Sequence, residues 1–202
     1  MISLYHKEID RMWYALAIED ENIIATTLSL GEEEVLRSLL ESLPYDVPFQ
    51  VAEKPTRFST KVLEALKAIF DGRDVRVNFS LAMNHLSSYT RRVLECVSLI
   101  PVGYVTTYGA VSKVVGGSPR AVGRALASNP FLLLIPCHRV VRADLSLGGY
   151  GGVRTKRELL RREDRGYGKK AKLEVYGKTL ALFPIKLFEV STLDRQAYFV
   201  VM

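Results

Sequence analysis

Only two cysteines, Cys96 and Cys137, occur in the 202 residues, which excludes the disulfide framework of a small secreted scaffold. The three histidines, His6, His85 and His138, are a thin supply for a closed structural zinc site. No metal and no cofactor is expected. No apolar run approaches the roughly 18 residues that a membrane span needs, and the opening MISLYHKEID carries acids and bases where a signal peptide has its apolar stretch. The chain therefore reads as soluble and cytoplasmic, without a membrane partner. Internal repeats and low-complexity tracts are lacking too. Asn and Gln are scarce, at four and two, a weak mark of a heat-adapted source. What remains is 48% hydrophobic and 25% charged, enough for one large domain or two small ones with real cores.

The net charge of +6 is unevenly spread. The balance is −5 over residues 1–86, +5 over 87–150, +6 over 151–172 and zero over 173–202. Such a split suits a basic region facing a polyanion while an acidic half faces elsewhere. Two differently charged solvated surfaces would give the same balance.

Segments 12–18 (MWYALAI) and 22–28 (NIIATTL) are aromatic and branched, flank the polar EDE, and read as a hairpin. Three glutamates at 32–34 precede Leu36, Leu39, Leu40 and Leu43, the pattern of an amphipathic helix ended by Pro44. A second helix fits 60–70, and Ser87 or Ser88 can cap a third running to Ile100. Cys96 sits on the apolar face of that third helix and reads as a small buried hydrophobe. Two short helical patterns follow, 107–115 and 119–128, joined by Gly116-Gly117-Ser118 in the manner of a helix-turn-helix. Arg120, Ala121, Gly123, Arg124 and Ala127 share one side of the second. A glycine inside a helix costs about 1 kcal/mol relative to alanine, so Gly123 asks for close approach by another backbone, protein or nucleic acid. The apolar run FLLLI at 131–135 reads as a strand delivering Cys137, beside His138, Arg139 and Arg142. A glycine-rich loop, 144–152, precedes a helix at 153–163, and 171–190 look like two short strands. The expected architecture is α+β.

A thiol is a useful nucleophile only as thiolate, so Cys137 needs a base or positive surroundings. Arg139 and Arg142 offer the second. His138 is the nearest base, but neighbours in an extended segment point to opposite sides, so proton transfer requires a bridging water or a turned backbone. Taken alone, these residues read more simply as a buried thiol and a satisfied core histidine.

The ensemble changes that. Arg120-Ala-Val-Gly, Asn129-Pro130, the block Ile135-Pro136-Cys137-His138-Arg139-Val140-Val141, the Gly-Tyr-Gly-Gly loop and a helix bearing Lys156 and Glu163 together resemble the O6-alkylguanine-DNA alkyltransferases, densely over 87–165. The resemblance implies an RNase H-like N-terminal sheet-and-helix domain at 1–80, a mainly helical, winged-helix-like domain at 81–167 and a C-terminal extension of short strands at 168–202. It implies Cys137 as the alkyl acceptor, His138 as its water-bridged base and Glu163 as the carboxylate that orients the histidine. Asn129 is similar to the residue holding the turn after the recognition helix, and Tyr108 to the tyrosine that helps rotate the nucleotide and protonates the departing guanine. Arg120 resembles the finger filling the vacated stack. Ala121, Gly123, Arg124 and Ala127 belong to the minor-groove helix, while Tyr150, Val140, Gly151 and Gly152 correspond to the base pocket. The implied partner is duplex DNA containing O6-alkylguanine, met by a monomer. Its phosphates would be contacted by Arg91, Arg92 and the basic cluster at 151–172, Arg154, Lys156 and Arg157 included.

Two features depart from the family pattern: glycines follow Tyr150 where a serine is usual, and the chain runs on for nearly 40 residues past Glu163. Two other readings compete. A base-flipping sensor without repair activity would lack the cysteine that stands at 137, and a cysteine hydrolase would need a histidine across a cleft, for which only His6 and His85 remain.

Overall fold

The computed structural model describes residues 1–44, 47–75, 78–144, 146–147 and 153–187. Strands β1 (Ile2–Ile9), β2 (Met12–Glu19) and β3 (Asn22–Ser29) form an antiparallel meander. Its two hairpin turns place Asp10-Arg11 and Asp20-Glu21 at positive φ, 52° and 63°, then 48° and 61°. This is the two-residue turn whose twist matches that of the strands it joins. Side chains alternate along β2, so Tyr14, Leu16 and Ile18 join one core while Ala15 and Ala17 join another on the opposite face.

Helix α1 (Glu32–Glu41) covers the second face with Val35 and Leu39. Strand β4 (Phe49–Val51) adds parallel to β1 at one edge of the sheet. Helix α2 (Arg57–Phe70) covers the first face, and its start is fixed by a reciprocal cap between Thr56 and Ser59. Strand β5 (Ser80–Leu81) lies parallel to β3 at the other edge. The order of the sheet is β4-β1-β2-β3-β5.

Helix α3 (Ser88–Ser98) is capped by Ser87, whose hydroxyl accepts from the Thr90 N–H at 3.1 Å. Strand β6 (Tyr104–Thr107) leads directly into α4 (Tyr108–Val115), capped by Thr107, and α5 (Pro119–Ala127) is capped by Ser118 with Pro119 in its first turn. The turn between α4 and α5 needs glycine: Gly117 has φ 80°, and a Cβ there would press on Tyr89, whose hydroxyl donates to the Gly116 carbonyl at 3.2 Å. Strand β7 (Val140–Val141) pairs parallel with β6, α6 (Val153–Glu163) follows, and the hairpin β8 (Ala171–Val175) and β9 (Lys178–Pro184) completes a second sheet ordered β7-β6-β9-β8. One apolar cluster runs from the α2 face of the first sheet through α3, α4 and α5 to the last hairpin, and both Cys96 and Cys137 belong to it.

The run 131–135 is not a strand. It makes only isolated bridges, Phe131 to Thr26 of β3 and Leu132 to Ile135, and Leu133 stands at φ 72°. The Asn129 side chain ties the segment into a turn, its Oδ1 accepting from the Phe131 N–H at 3.0 Å and its Nδ2 donating to the Ile135 carbonyl at 3.3 Å. Prolines on both sides withdraw donors that a ladder would use. An apolar run of five cannot be told from a buried turn by its pattern. Among the described residues no helix is long and apolar enough to cross a membrane.

Candidate active site

Cys137 opens a 3-10 turn, Cys137–Arg139, rather than ending a strand. Its amide donates to the Ile135 carbonyl at 2.8 Å, and the Arg139 amide donates to Pro136 at 2.9 Å. The whole turn is buried: Cys137 is 1% exposed and His138 2%. Turned backbone removes the opposite-sides objection that an extended Cys-His pair would face.

His138 Nε2 lies 3.0 Å from Glu163 Oε1. Burial pushes the Glu163 carboxyl up, but His138 and Arg139 outweigh it and hold it at about 2, so the group is a carboxylate and can only accept. Burial drives His138 down, against the pull of Glu163, so the ring is neutral near pH 7. These two conditions assign the proton to Nε2 and leave a lone pair on Nδ1. Nδ1 is buried without a hydrogen-bond partner among the described residues.

Arg139 does not serve the thiol, contrary to the expectation that its charge would. Its Nε and Nη2 fork onto Glu163 at 2.8 and 2.7 Å and its Nη1 donates to the Ile100 carbonyl. The ion pair consumes its charge and fixes the carboxylate that fixes the histidine. A buried cation that interacts with Cys137 is Lys156. It is 1% exposed, its Nζ donates to the Val140 carbonyl at 2.6 Å, and it lies 5.9 Å from the centre of the Tyr108 ring. Burial lowers its pKa to about 8 while the Cys137 sulfur pulls it back up, which puts ammonium and sulfur within electrostatic reach. Burial likewise raises Tyr108, with Cys137 adding to the effect. Buried at 1% exposure, Lys156 is not among the residues able to meet phosphates, and in the sequence only its position on a helix with Glu163 hints at another use.

More of the basic cluster is engaged by the protein itself. Arg162 stacks on Phe70, with Cζ 4.3 Å from the ring centre, and bonds Glu158 and Asp71, while Arg165 donates to the Gly72 carbonyl. The α5 face matches its sequence pattern: Val122, Ala125 and Leu126 are buried, whereas Arg120, Arg124 and Ala127 are exposed and Ala121 and Gly123 half-buried. A Cβ at Gly123 would meet only Tyr108 Cε1, at an ordinary 4.0 Å. Packing among the described residues therefore does not demand that glycine. Tyr150, Gly151 and Gly152 lie outside the described residues. A cleft of about 510 Å³ is lined by Ile100, Pro136 and Arg139 on the far side of the turn, and neither Cys137 nor Tyr108 borders it.

The buried Cys137, the His138–Glu163 pair and the two exposed arginines of α5 fit one class, a DNA-binding protein that carries a cysteine at its centre. Residues 88–165 match the model of the 6-O-methylguanine DNA methyltransferase DNA-binding domain. The chain is 35% identical over 160 residues to a methylated-DNA–protein-cysteine methyltransferase of Methanocaldococcus jannaschii, covering 77% of this chain and 90% of that protein. It is 47% identical over 105 residues to the one of Methanothermobacter thermautotrophicus, covering 51% of this chain and 60% of that protein. A solved O6-methylguanine methyltransferase variant from Mycobacterium tuberculosis superposes with a TM-score of 0.64 at 26% identity, over 84% of this chain and 96% of that one. The chain belongs to the methylated-DNA–protein-cysteine methyltransferase family, whose members transfer the methyl group to their own cysteine.

Proposed function

We propose that the chain repairs O6-alkylguanine in duplex DNA, with O4-alkylthymine a second candidate substrate, by irreversible transfer of the alkyl group to Cys137. It does so as a monomer, inside the cell. The observation that carries this reading is the buried turn in which Cys137 is followed by a neutral His138 whose Nε2 is committed to Glu163 and whose Nδ1 is available. We read 1–80 as an RNase H-like domain, 81–167 as a winged-helix-like alkyl-acceptor domain and 168–202 as an extension.

A target atom within the stack is out of reach of a buried sulfur, so the base must first leave it, at a cost of a few kcal/mol. The α5 face of Ala121, Gly123 and Ala127 is low enough to press into the minor groove, and Arg120 fills the gap left by the base. The Cys137 proton passes through one water to His138 Nδ1, and the Lys156 ammonium stabilises the thiolate that remains. Sulfur then attacks the alkyl carbon in line: the S–C bond forms as the C–O6 bond breaks, and the bonding pair stays with the purine. Tyr108 protonates the purine, and the proton held by His138 restores the phenol through solvent, so that overall the thiol proton replaces the alkyl group. Val140 lends its backbone to the guanine edge. Its carbonyl already accepts from Lys156, and one lone pair is left for the base. The thioether has no route back to thiol, so each molecule acts once.

Incubation with a duplex bearing O6-methylguanine is expected to add one methyl mass to the peptide that contains Cys137, in at most equimolar yield. Continued consumption of substrate by substoichiometric protein would overturn the single-use mechanism. Cys137→Ser is expected to retain binding to alkylated duplex and lose transfer; a variant that still transfers would remove Cys137 from its role.

A further inference from the structure

The hairpin β8–β9 lies beyond residue 165, where the family match ends. Its place in the fold is specific. Strand β9 pairs antiparallel with β6, Tyr104 opposite Pro184 and Val105 opposite Phe183, and the Thr106 hydroxyl donates to the Ala181 carbonyl at 2.7 Å. Since β6 runs directly into α4, the start of β9 projects past the end of β6 and alongside α4. The tip of the hairpin, Tyr176-Gly177, therefore reaches the helix-turn-helix. Lys178 Nζ donates to the Lys113 carbonyl in the last turn of α4 at 3.3 Å, the Tyr176 hydroxyl donates to Glu95 of α3 at 2.7 Å, and the Arg92 guanidinium stands 5.5 Å from the Tyr176 ring.

This packing gathers charge. Arg92, Lys113 and Lys178 are exposed around the tip, and Lys172 is exposed on the outer face of β8. The two carboxylates nearby are engaged, Glu95 by Tyr176 and Glu174 by the Thr179 hydroxyl at 2.6 Å. Only the turn Gly116-Gly117-Ser118 separates Lys113's helix from α5, which carries Arg120 and Arg124. The cationic surface at the hairpin tip is thus continuous with the start of the helix proposed to enter the groove.

We propose that the β8–β9 hairpin is a DNA-contacting wing, in which Lys113, Lys172 and Lys178 grip the phosphate backbone flanking the damaged base. The proposal rests on the DNA-repair reading above. Its occupant is nucleic acid, because the exposed cations Arg92, Lys113, Lys172 and Lys178 outnumber the carboxylates Glu95 and Glu174 beside them, lie in side chains able to reach phosphates and abut the DNA helix. A wing of this kind adds sequence-independent affinity that weakens with salt, and it leaves the chemistry at Cys137 untouched.

The test measures affinity of the full chain for an undamaged duplex across a salt series, beside methyl transfer from the free base O6-methylguanine. The double variant Lys113→Gln/Lys178→Gln is expected to bind roughly three- to tenfold more weakly near 0.1 M salt, with the slope of log K against log salt shallower by about 2. Lys172→Gln, which leaves the tip packing intact, is expected to flatten the slope by about 1. Transfer from the free base should match the parent in both. Unchanged affinity and slope in both variants would overturn the wing, as would a parallel loss of free-base transfer, which would locate the effect in folding or in the site. A parent chain that neither binds duplex nor transfers methyl from it would instead sink the repair reading itself.

Discussion

Lys156 is the residue whose burial most changes the account of the site. A charged group is almost never fully buried without a partner, and this one has the Val140 carbonyl and the Cys137 sulfur to answer it. With its pKa lowered by burial to about 8, Lys156 is cationic below that pH and neutral above it. The stabilisation it lends a thiolate is therefore present near neutrality and fades as pH rises past about 8. Lys156→Met, which keeps the volume and removes the charge, is expected to slow methyl transfer about tenfold at pH 7, the kinetic equivalent of about 1.4 kcal/mol. The gap between variant and parent should narrow above pH 8; a rate ratio independent of pH would deny Lys156 an electrostatic role. Cys137, His138 and Glu163 are picked out in the sequence by the family resemblance, since residue type alone favours a buried thiol and a core histidine. The roles of Lys156 and Arg139 are not, since a lysine or arginine in a basic stretch has surface exposure as its default, and only tertiary packing reverses it.

At the level of elements, α6 carries Glu163 and is anchored by its neighbour. Gly72 sits at φ 80° just after α2, and a Cβ there would collide with the Arg162 carbonyl. Arg162 itself reaches back to Phe70 and Asp71, so the end of α2 and the end of α6 are one clamp, immediately beside the carboxylate that orients His138. Gly72→Ala is expected to destabilise the protein by about 1–3 kcal/mol, from strain at positive φ together with the clash, and to slow transfer from free base and from DNA alike. Equal rates in the two proteins would separate the clamp from the site. Arg120→Ala acts on a different element and is expected to slow repair of duplex several-fold more than repair of single strands, because only a duplex has a stack to be filled; the same slowing on both would remove the finger role. The helices were readable from their periodicity and caps, which are local. Strands β4, β6 and β7 escape the sequence pattern and 131–135 is misread, because short strands are defined by partners distant in sequence, and in an apolar run the pattern of burial is silent about which partner is chosen; β1 escapes it because His6, Lys7 and Glu8 interrupt its apolar alternation.

For the whole molecule, the continuous apolar cluster decides how it unfolds. Tyr14, Leu16 and Phe70 of the N-terminal layer share it with Val97, Val122, Cys137 and Leu159, and Thr26 of β3 binds the 130–132 backbone through its amide, carbonyl and hydroxyl. Neither layer can lose its packing without exposing the other's, so a single cooperative transition is expected. Fluorescence of Trp13, the only tryptophan, reports the first sheet, and reaction of Cys137 with a thiol reagent reports the second layer; the two should change together. Acid should move that transition in a set direction. His138 is held below and Glu163 well below the ordinary value in the folded state, so the unfolded chain binds more protons than the native one as pH falls. Stability that is complete at pH 7 is lost first as the unfolded histidine titrates near 6.5 and then further from about 4.5 toward 2. Glu163→Gln leaves Arg139 buried without its counter-ion, which costs about 3–5 kcal/mol, or a fall in Tm of roughly 10 °C at pH 7. Having lost the carboxylate, the variant should also lose the part of the acid dependence below pH 4.5, and its Tm should converge on that of the parent as pH drops. Parallel curves for the two proteins down to pH 3 would mean that other carboxylates, and not the one beneath His138, hold the two layers together in acid.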